Sequence, residues 1–317
     1  MKILANDGIS QSGIAALENG GFEVITTKVA QNQLDSFINE NGIDALLVAN
    51  NTQVRQELIE DCPSLKLIGK AGVNFDNIDV DFARENGLHV INTPEAISGA
   101  VAELIFAHIF GMARFLHQSN REMPLEGETR FNALRKQFAN GVELKGKTIG
   151  IIGNNETADE VAKIALGVGM KVLFAGNYSE EKTIALTFYN GQTIDFTLDT
   201  EPFKEVLKKS DFISIHTPLQ DGYLIGTKEF EHMKQGIGII NVSNGGLVDE
   251  VALVNAIKDG TVKYAALDVF ENQPTPEIQL LMNPEISFTP NIASSTVESK
   301  QRVDEELAKQ ITELLSE

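Results

Sequence analysis

Short β-rich apolar runs alternate with longer amphipathic stretches along the whole chain, and this alternation restricts the fold more than any other feature. The first series reads KILA (2–5), FEVIT (22–26), ALLVA (45–49), LKLIGK (65–70) and LHVI (88–91). Nearly continuous apolar strands need cover on both faces, which helices supply when each strand is followed by a crossover to a parallel neighbour. Ser10 ahead of an apolar-periodic stretch and Asn19-Gly20-Gly21 after it are start and stop signals for the first helix.

A second series begins near residue 148, with TIGII (148–152), KVLFA (171–175), FISIH (212–216), IGIINV (237–242), YAALDV (264–269) and EISFT (285–289). Within it, LTFYNGQTIDF (186–196) carries Asn190-Gly191 and predicts a β-hairpin in place of another βα unit. Between the series, Gly99 to Leu116 reads as a largely buried helix, and the polar stretch from Gln118 to Gly146 as loop-like. The final stretch from Thr296 has apolar residues at Val303, Leu307, Ile311 and Leu314, which predicts a helix packed back on the first unit. The expected domains are therefore 1–98 with 294–317, and 99–293.

Lys and Arg number 26 against 45 Asp and Glu, and the net charge of −19 opposes a nucleic-acid partner. No apolar run approaches the roughly 20 residues of a membrane span, and the N-terminus lacks the pattern of a signal peptide. A cytoplasmic protein without a membrane partner is expected. The single cysteine, Cys62, has no neighbours of a redox or zinc motif, so neither a disulfide nor a metal site is expected.

Ligands of a doubly wound sheet bind beyond the carboxyl ends of its strands. The first βα turn of the second series reads GIIGNNETADEVAKIALGVGMKVLFAG (150–176). Against the G-x-G-x-x-G pattern of dinucleotide folds, Gly153 matches, while Asn155 and Ala158 replace the other two glycines. Thr157 with Glu160 has capping-box spacing, which would consume helix amides otherwise free for phosphate. Glu156, Asp159 and Glu160 add carboxylates there, and Ala175-Gly176-Asn177 ends the next strand without an acid for ribose hydroxyls.

Seven segments in order resemble the D-isomer-specific 2-hydroxyacid dehydrogenases: KLIGKAGVNFDNID (66–79), VINTPEAISGAVAELIF (90–106), LKGKTIGIIG (144–153), SDFISIHTPL (210–219), INVSNGGLVDE (240–250), AALDVFENQP (265–274) and FTPNIASST (288–296). The resemblance implies an α/β fold of two doubly wound parallel-sheet domains, a Rossmann-like nucleotide domain inserted in a flavodoxin-like outer domain. It also implies NAD as the ancestral cofactor, and a homodimer formed through the nucleotide-type domain.

Family members hold a substrate carboxylate with an arginine, move the hydroxyl proton with a histidine, and orient that histidine with a glutamate. The positions matching this motif hold Asn244, Gln273 and Asn291, none of which ionises. The resemblance places Thr217 and Pro218 near the nicotinamide, Asp268 near its carboxamide, and Lys70, Ala71, Gly72, Val73 and Asn74 in a substrate loop. Asn74 replaces a usual glycine, and Glu95 adds negative charge beside a site for acids.

His216, at a strand end facing the cleft, and Lys70, a cation or a Schiff-base amine, are the candidate replacement catalysts, each set against a structural role. His89, His108 and His117 read as structural. The leading expectation is a catalytically silent relative without tight dinucleotide binding, through divergence or engineering. The alternatives are a weak NAD-dependent oxidoreductase of 2-hydroxy or 2-keto acids that uses His216, and a binding module with an amide-lined cleft.

Overall fold

The computed structural model describes residues 1–177 and 180–315. The chain divides into two units, Met1–Ile97 with Ser295–Glu317, and Ser98–Ser294.

In the first unit, strands β1 (Lys2–Ala5), β2 (Glu23–Ile25), β3 (Ala45–Val48), β4 (Leu67–Lys70) and β5 (His89–Asn92) form a parallel sheet of order β2-β1-β3-β4-β5. Successive side chains on a strand point to opposite faces. Accordingly Leu4, Leu46, Val48 and Ile68 join one core, while Ile3, Ala5, Ala45, Leu47 and Leu67 join the other. Helices α1 (Gln11–Asn19), α2 (Leu34–Asn41), α3 (Gln56–Asp61) and α4 (Val80–Glu85) connect these strands.

Ser10 caps α1 by accepting the Gly13 N–H, and its own N–H donates to Asp304 at 2.6 Å. Asp304 belongs to the terminal helix, Val297–Leu315, so both ends of the sequence build this unit. That helix buries Val303, Leu307, Ile311 and Leu315, whereas Leu314 stays partly exposed.

The second unit contains β6 (Thr148–Ile152), β7 (Lys171–Ala175), β8 (Glu181–Thr187), β9 (Thr193–Glu201), β10 (Phe212–Ile215), β11 (Ile237–Asn241), β12 (Val262–Leu267) and β13 (Ile286–Phe288). Their order is β13-β12-β11-β10-β6-β7-β9-β8, and every pairing is parallel except β8 with β9. The hairpin forms around Asn190-Gly191 as expected, but its strands run from Glu181 to Glu201.

Helix α5 spans Pro94–Ala113 and α6 spans Leu116–Gln137. By length and composition α5 could cross a membrane, which corrects the expectation that no run approaches that length; 67% of its most apolar window is nevertheless buried inside the protein. Helix α6 corrects the loop-like reading of Gln118–Gly146. Leu134 is its one buried residue, while Leu116, Met123, Leu125 and Phe131 are exposed, so no buried apolar stripe marks it; Pro124 and Gly127 read as breakers in sequence, and the backbone leaves helical geometry in a kink at Arg130. The unit continues with α7 (Glu156–Gly167), α8 (Phe203–Lys209), α9 (Thr227–Phe230), α10 (Glu250–Lys258) and α11 (Ile278–Leu281), and the terminal helix is α12.

Candidate dinucleotide and proton-relay site

The loop between β6 and α7 is shaped by close backbone approach. Gly153 has φ +128°, and a Cβ there would lie 2.3 Å from the His216 carbonyl oxygen, so glycine is required. Asn155, not Thr157, is the N-cap of α7. Its Oδ1 accepts the Ala158 N–H at 3.0 Å and its Nδ2 donates to the His216 carbonyl at 2.9 Å, so one side chain caps the helix and ties it to the end of β10.

The expected capping box therefore does not form. Thr157 Oγ1 bonds Ser98 Oγ at 3.3 Å, and Glu160 pairs with Lys163 at 2.6 Å, the next turn of the same helix. Among the described residues, the N–H groups of Glu156 and Thr157 meet no acceptor, as is usual in a first helical turn. They remain available to an anion.

The hairpin brings in a residue that sequence reasoning missed. Register places β9 beside β7, with Ala175 opposite Glu201, and β8 outside β9, with Lys182 opposite Leu198. From there the Lys182 ammonium reaches Asn154 Oδ1 and the Asp159 carboxylate and lies over the Phe174 ring, 4.7 Å from its centroid. The sequence signal was the hairpin itself, which had to fold back on β7; its depth on the α7 loop was not legible. Gly176 follows β7 with its N–H held by the Glu201 carbonyl at 2.8 Å, and the Glu180 carboxylate accepts from the adjacent Asn177 Nδ2 at 2.9 Å.

The three motif positions lie on loops beyond β11, β12 and β13. Gly245, after Asn244, packs so closely that a Cβ would sit 1.9 Å from the Phe270 carbonyl oxygen. Asn244 Nδ2 turns inward, donating to the Thr217 carbonyl at 3.3 Å and to Ser243 Oγ at 3.2 Å. Asn291 adopts φ +55°, a left-handed conformation that asparagine tolerates. Its Nδ2 donates to Gln273 Oε1 at 3.4 Å, so these two amides are in hydrogen-bonding contact.

Asp268 organises this corner. It is fully buried, and its two carboxylate oxygens accept the Ile292 and Ala293 N–H groups at 2.9 and 2.8 Å. Its own carbonyl accepts the Asn291 N–H at 2.8 Å. Pro218 is exposed, whereas Thr217 Oγ1 is buried without a hydrogen-bond partner among the described residues, an unsatisfied group beside the relay loops.

Neither candidate replacement catalyst is free to move a proton. Burial pushes the His216 imidazole down to about 3, and its Nε2 bonds Ser214 Oγ at 2.8 Å, so it is neutral and enclosed rather than facing a cleft. Lys70, in the first unit, is buried at the end of β4. Its ammonium donates to Asn50 Oδ1 at 2.7 Å, to Asn77 Oδ1 at 2.8 Å and to the Ala49 carbonyl, which uses all three N–H donors.

Burial lowers the Lys70 pKa, and the nearby Asp7 and Asp76 partly oppose that shift. Around it, Ala71 N–H bonds the Val48 carbonyl, Gly72 has φ +144°, and Val73 and Asn74 are exposed. His108 is structural, with ring nitrogens on Ser287 Oγ at 2.9 Å and Thr289 Oγ1 at 3.1 Å. Cys62 is buried and its thiol is pushed up to about 11, chiefly by desolvation. Among the described residues no cluster of His, Cys, Asp or Glu could hold a metal.

Comparison with known proteins identifies this arrangement. Residues 106–293 match the D-isomer-specific 2-hydroxyacid dehydrogenase NAD-binding domain. The chain is 34% identical to D-3-phosphoglycerate dehydrogenase of Methanocaldococcus jannaschii over 99% of its length, covering 57% of that longer protein. It is 35% identical to hydroxypyruvate reductase of Thermotoga maritima, covering 98% of this chain and 97% of that one. Among solved structures, an acyclic imino acid reductase in complex with NADPH and D-Arg is 26% identical, with a TM-score of 0.80 over 100% of this chain and 97% of that one.

These matches overturn the expectation that no dinucleotide binds tightly, because the family domain and the named relatives point to NAD(H) use. The physical grounds for that expectation also weaken in the structure. Two α7 amides are unspent, Lys163 and Lys182 neutralise Glu160 and Asp159, and the orphaned Thr217 hydroxyl awaits a partner. The donor set fits a dinucleotide diphosphate, with Glu156 as the first-turn acid that has no ion pair among the described residues. The chain belongs to the D-isomer-specific 2-hydroxyacid dehydrogenase family.

Proposed function

We propose that the protein is an NAD(H)-binding member of this family in which the proton relay for 2-hydroxy and 2-keto acids is lost. When bound, the cofactor supplies or takes a hydride. The chain's own part is to hold it at the β6–α7 turn through the Glu156 and Thr157 amides and to present Thr217 toward it. The observation carrying the reading is the pair of amides, Asn291 Nδ2 on Gln273 Oε1 at 3.4 Å, where a titrating base and its carboxylate would be needed. An amide neither takes nor gives a proton near neutral pH.

Asn244 replaces the arginine fork that would grip a substrate carboxylate in a bidentate pair. A positioned acid/base contributes about 10²- to 10⁴-fold, so keto-acid reduction falls by at least that much. The test measures NADH binding by fluorescence and NADH oxidation across a panel of 2-keto acids. The comparison is between the unaltered protein and Asn244→Arg/Gln273→Glu/Asn291→His. Saturable NADH binding with turnover that rises about 10²-fold or more in the triple variant is expected. Turnover by the unaltered protein that matches or exceeds the triple variant would refute the reading.

The same absence of a titrating group favours a second reading. An iminium carbon accepts hydride to give an amine and brings its own proton, so such a substrate needs no acid from the protein. The structural similarity to an imino acid reductase supports including 2-keto acids mixed with amines in the panel. NADH consumption that requires the amine would favour this activity over a silent relay.

A further inference from the structure

The sequence lacks two features by which a dinucleotide fold usually holds its cofactor: the second glycine of the turn, now Asn155, and the acid after the second strand, now Gly176. The structure puts a cation where neither motif would have supplied one. Lys182 projects from β8 across the Phe174 ring onto the first turn of α7, with its side chain only 17% exposed. Its partners, Asn154 Oδ1 and the Asp159 carboxylate, flank the free amides of Glu156 and Thr157. An ammonium has three N–H donors, so a donor remains after these two partners.

Held this way, the ammonium is already partly desolvated and aimed at the helix end. The remaining donor takes a phosphate oxygen while the pairing with Asp159 persists, and the helix amides add further donors. We propose that Lys182 is the phosphate-binding cation of this site, taking a phosphate oxygen of the dinucleotide together with the Glu156 and Thr157 N–H groups. The proposal rests on the reading that the second unit binds NAD(H). The hairpin thus stands in for the lost glycine loop: it carries the lysine to the turn, and the ion pair with Asp159 holds the lysine there.

Both the bridging diphosphate and a ribose 2′-phosphate offer phosphate oxygens that an ammonium can take. The bridging diphosphate and the 2′-phosphate are therefore two sources of the same chemistry, separated by testing both NADH and NADPH.

The experiment titrates the full-length chain with NADH and NADPH by fluorescence at low and high salt. It compares the unaltered protein, Lys182→Arg, Lys182→Met and Lys182→Met/Asp159→Asn, with thermal unfolding to verify each fold. Methionine keeps an unbranched side chain of similar length and removes only the charge. Loss of one charge-assisted hydrogen bond weakens binding about 10- to 100-fold in Lys182→Met, with a shallower salt dependence, while Lys182→Arg binds nearly as well as the unaltered protein.

A loss for both cofactors assigns the lysine to the diphosphate, and a loss for NADPH alone assigns it to the 2′-phosphate. Equal or tighter binding of both by Lys182→Met overturns the proposal. So does recovery of binding in Lys182→Met/Asp159→Asn, which would mean the lysine only neutralises Asp159. If the unaltered protein binds neither cofactor, the NAD(H) reading itself fails, and the proposal falls with it.

Discussion

Replacing Asp268 by asparagine tests whether one buried carboxylate holds the relay corner together. Its oxygens accept the Ile292 and Ala293 N–H groups at 2.9 and 2.8 Å in a fully buried setting. Asparagine keeps one acceptor and turns an NH₂ toward the second amide. One charge-assisted bond, worth about 1.5–3 kcal/mol, is lost, and a buried N–H is left unpaired at about 1–3 kcal/mol more. The expected destabilisation is about 3–5 kcal/mol, a fall in melting temperature of about 6–20 °C for a unit of this size.

Urea unfolding with an unchanged m-value measures the loss, and amide exchange at Ile292 and Ala293 locates it. Because those amides follow Asn291, the same variant frees its left-handed backbone and separates it from Gln273. A loss below about 1 kcal/mol, with both amides still protected, would show that the loop is held by something other than the carboxylate.

Two further outcomes follow from buried ionisable groups. The His216 imidazole is held near 3 in the folded chain against 6.5 when unfolded, so between those values the unfolded chain carries a proton the folded one does not. Stability present above pH 6.5 is therefore eroded as pH falls toward about 3, by about 1.4 kcal/mol per pH unit, and the lowered pKa values of His108 and His117 act in the same direction. His216→Gln flattens this dependence in denaturant titrations run at several pH values; an unchanged slope contradicts the assignment. Lys70→Met strands the side-chain oxygens of Asn50 and Asn77, leaves the Ala49 carbonyl to Asn77 Nδ2 alone, and costs about 2–4 kcal/mol in urea unfolding, whereas a neutral result would mean the lysine is not the organiser of that strand end.

Much of the fold was legible because it rests on local patterns. Strand apolarity, the Ser10 cap and the Asn190-Gly191 turn each depend on neighbours close in sequence, and each forms where expected. Helix α6 was not legible for the matching reason: Leu134 is its one buried residue, its other large apolar side chains are exposed, and Pro124 and Gly127 interrupt the helical pattern. The α7 cap was misplaced because Thr157 and Glu160 have the right spacing, yet Ser98 and Lys163 compete for their side chains. Asn155 wins the cap through a second bond to the distant His216 carbonyl.

The amino-acid sequence alone determined which groups at the relay positions can ionise, since Asn244, Gln273 and Asn291 are neutral in any fold. It also determined the parallel α/β plan, which follows from the order of apolar strands and amphipathic helices. Tertiary structure alone decided which charges meet. It sealed His216 beneath the β6–α7 turn, spent every donor of Lys70 on amides and carbonyls, and carried Lys182 from the hairpin to Asp159. Ionisation depends on residue type, but desolvation and pairing depend on which distant segments come within a few ångströms, and local sequence does not encode that distance.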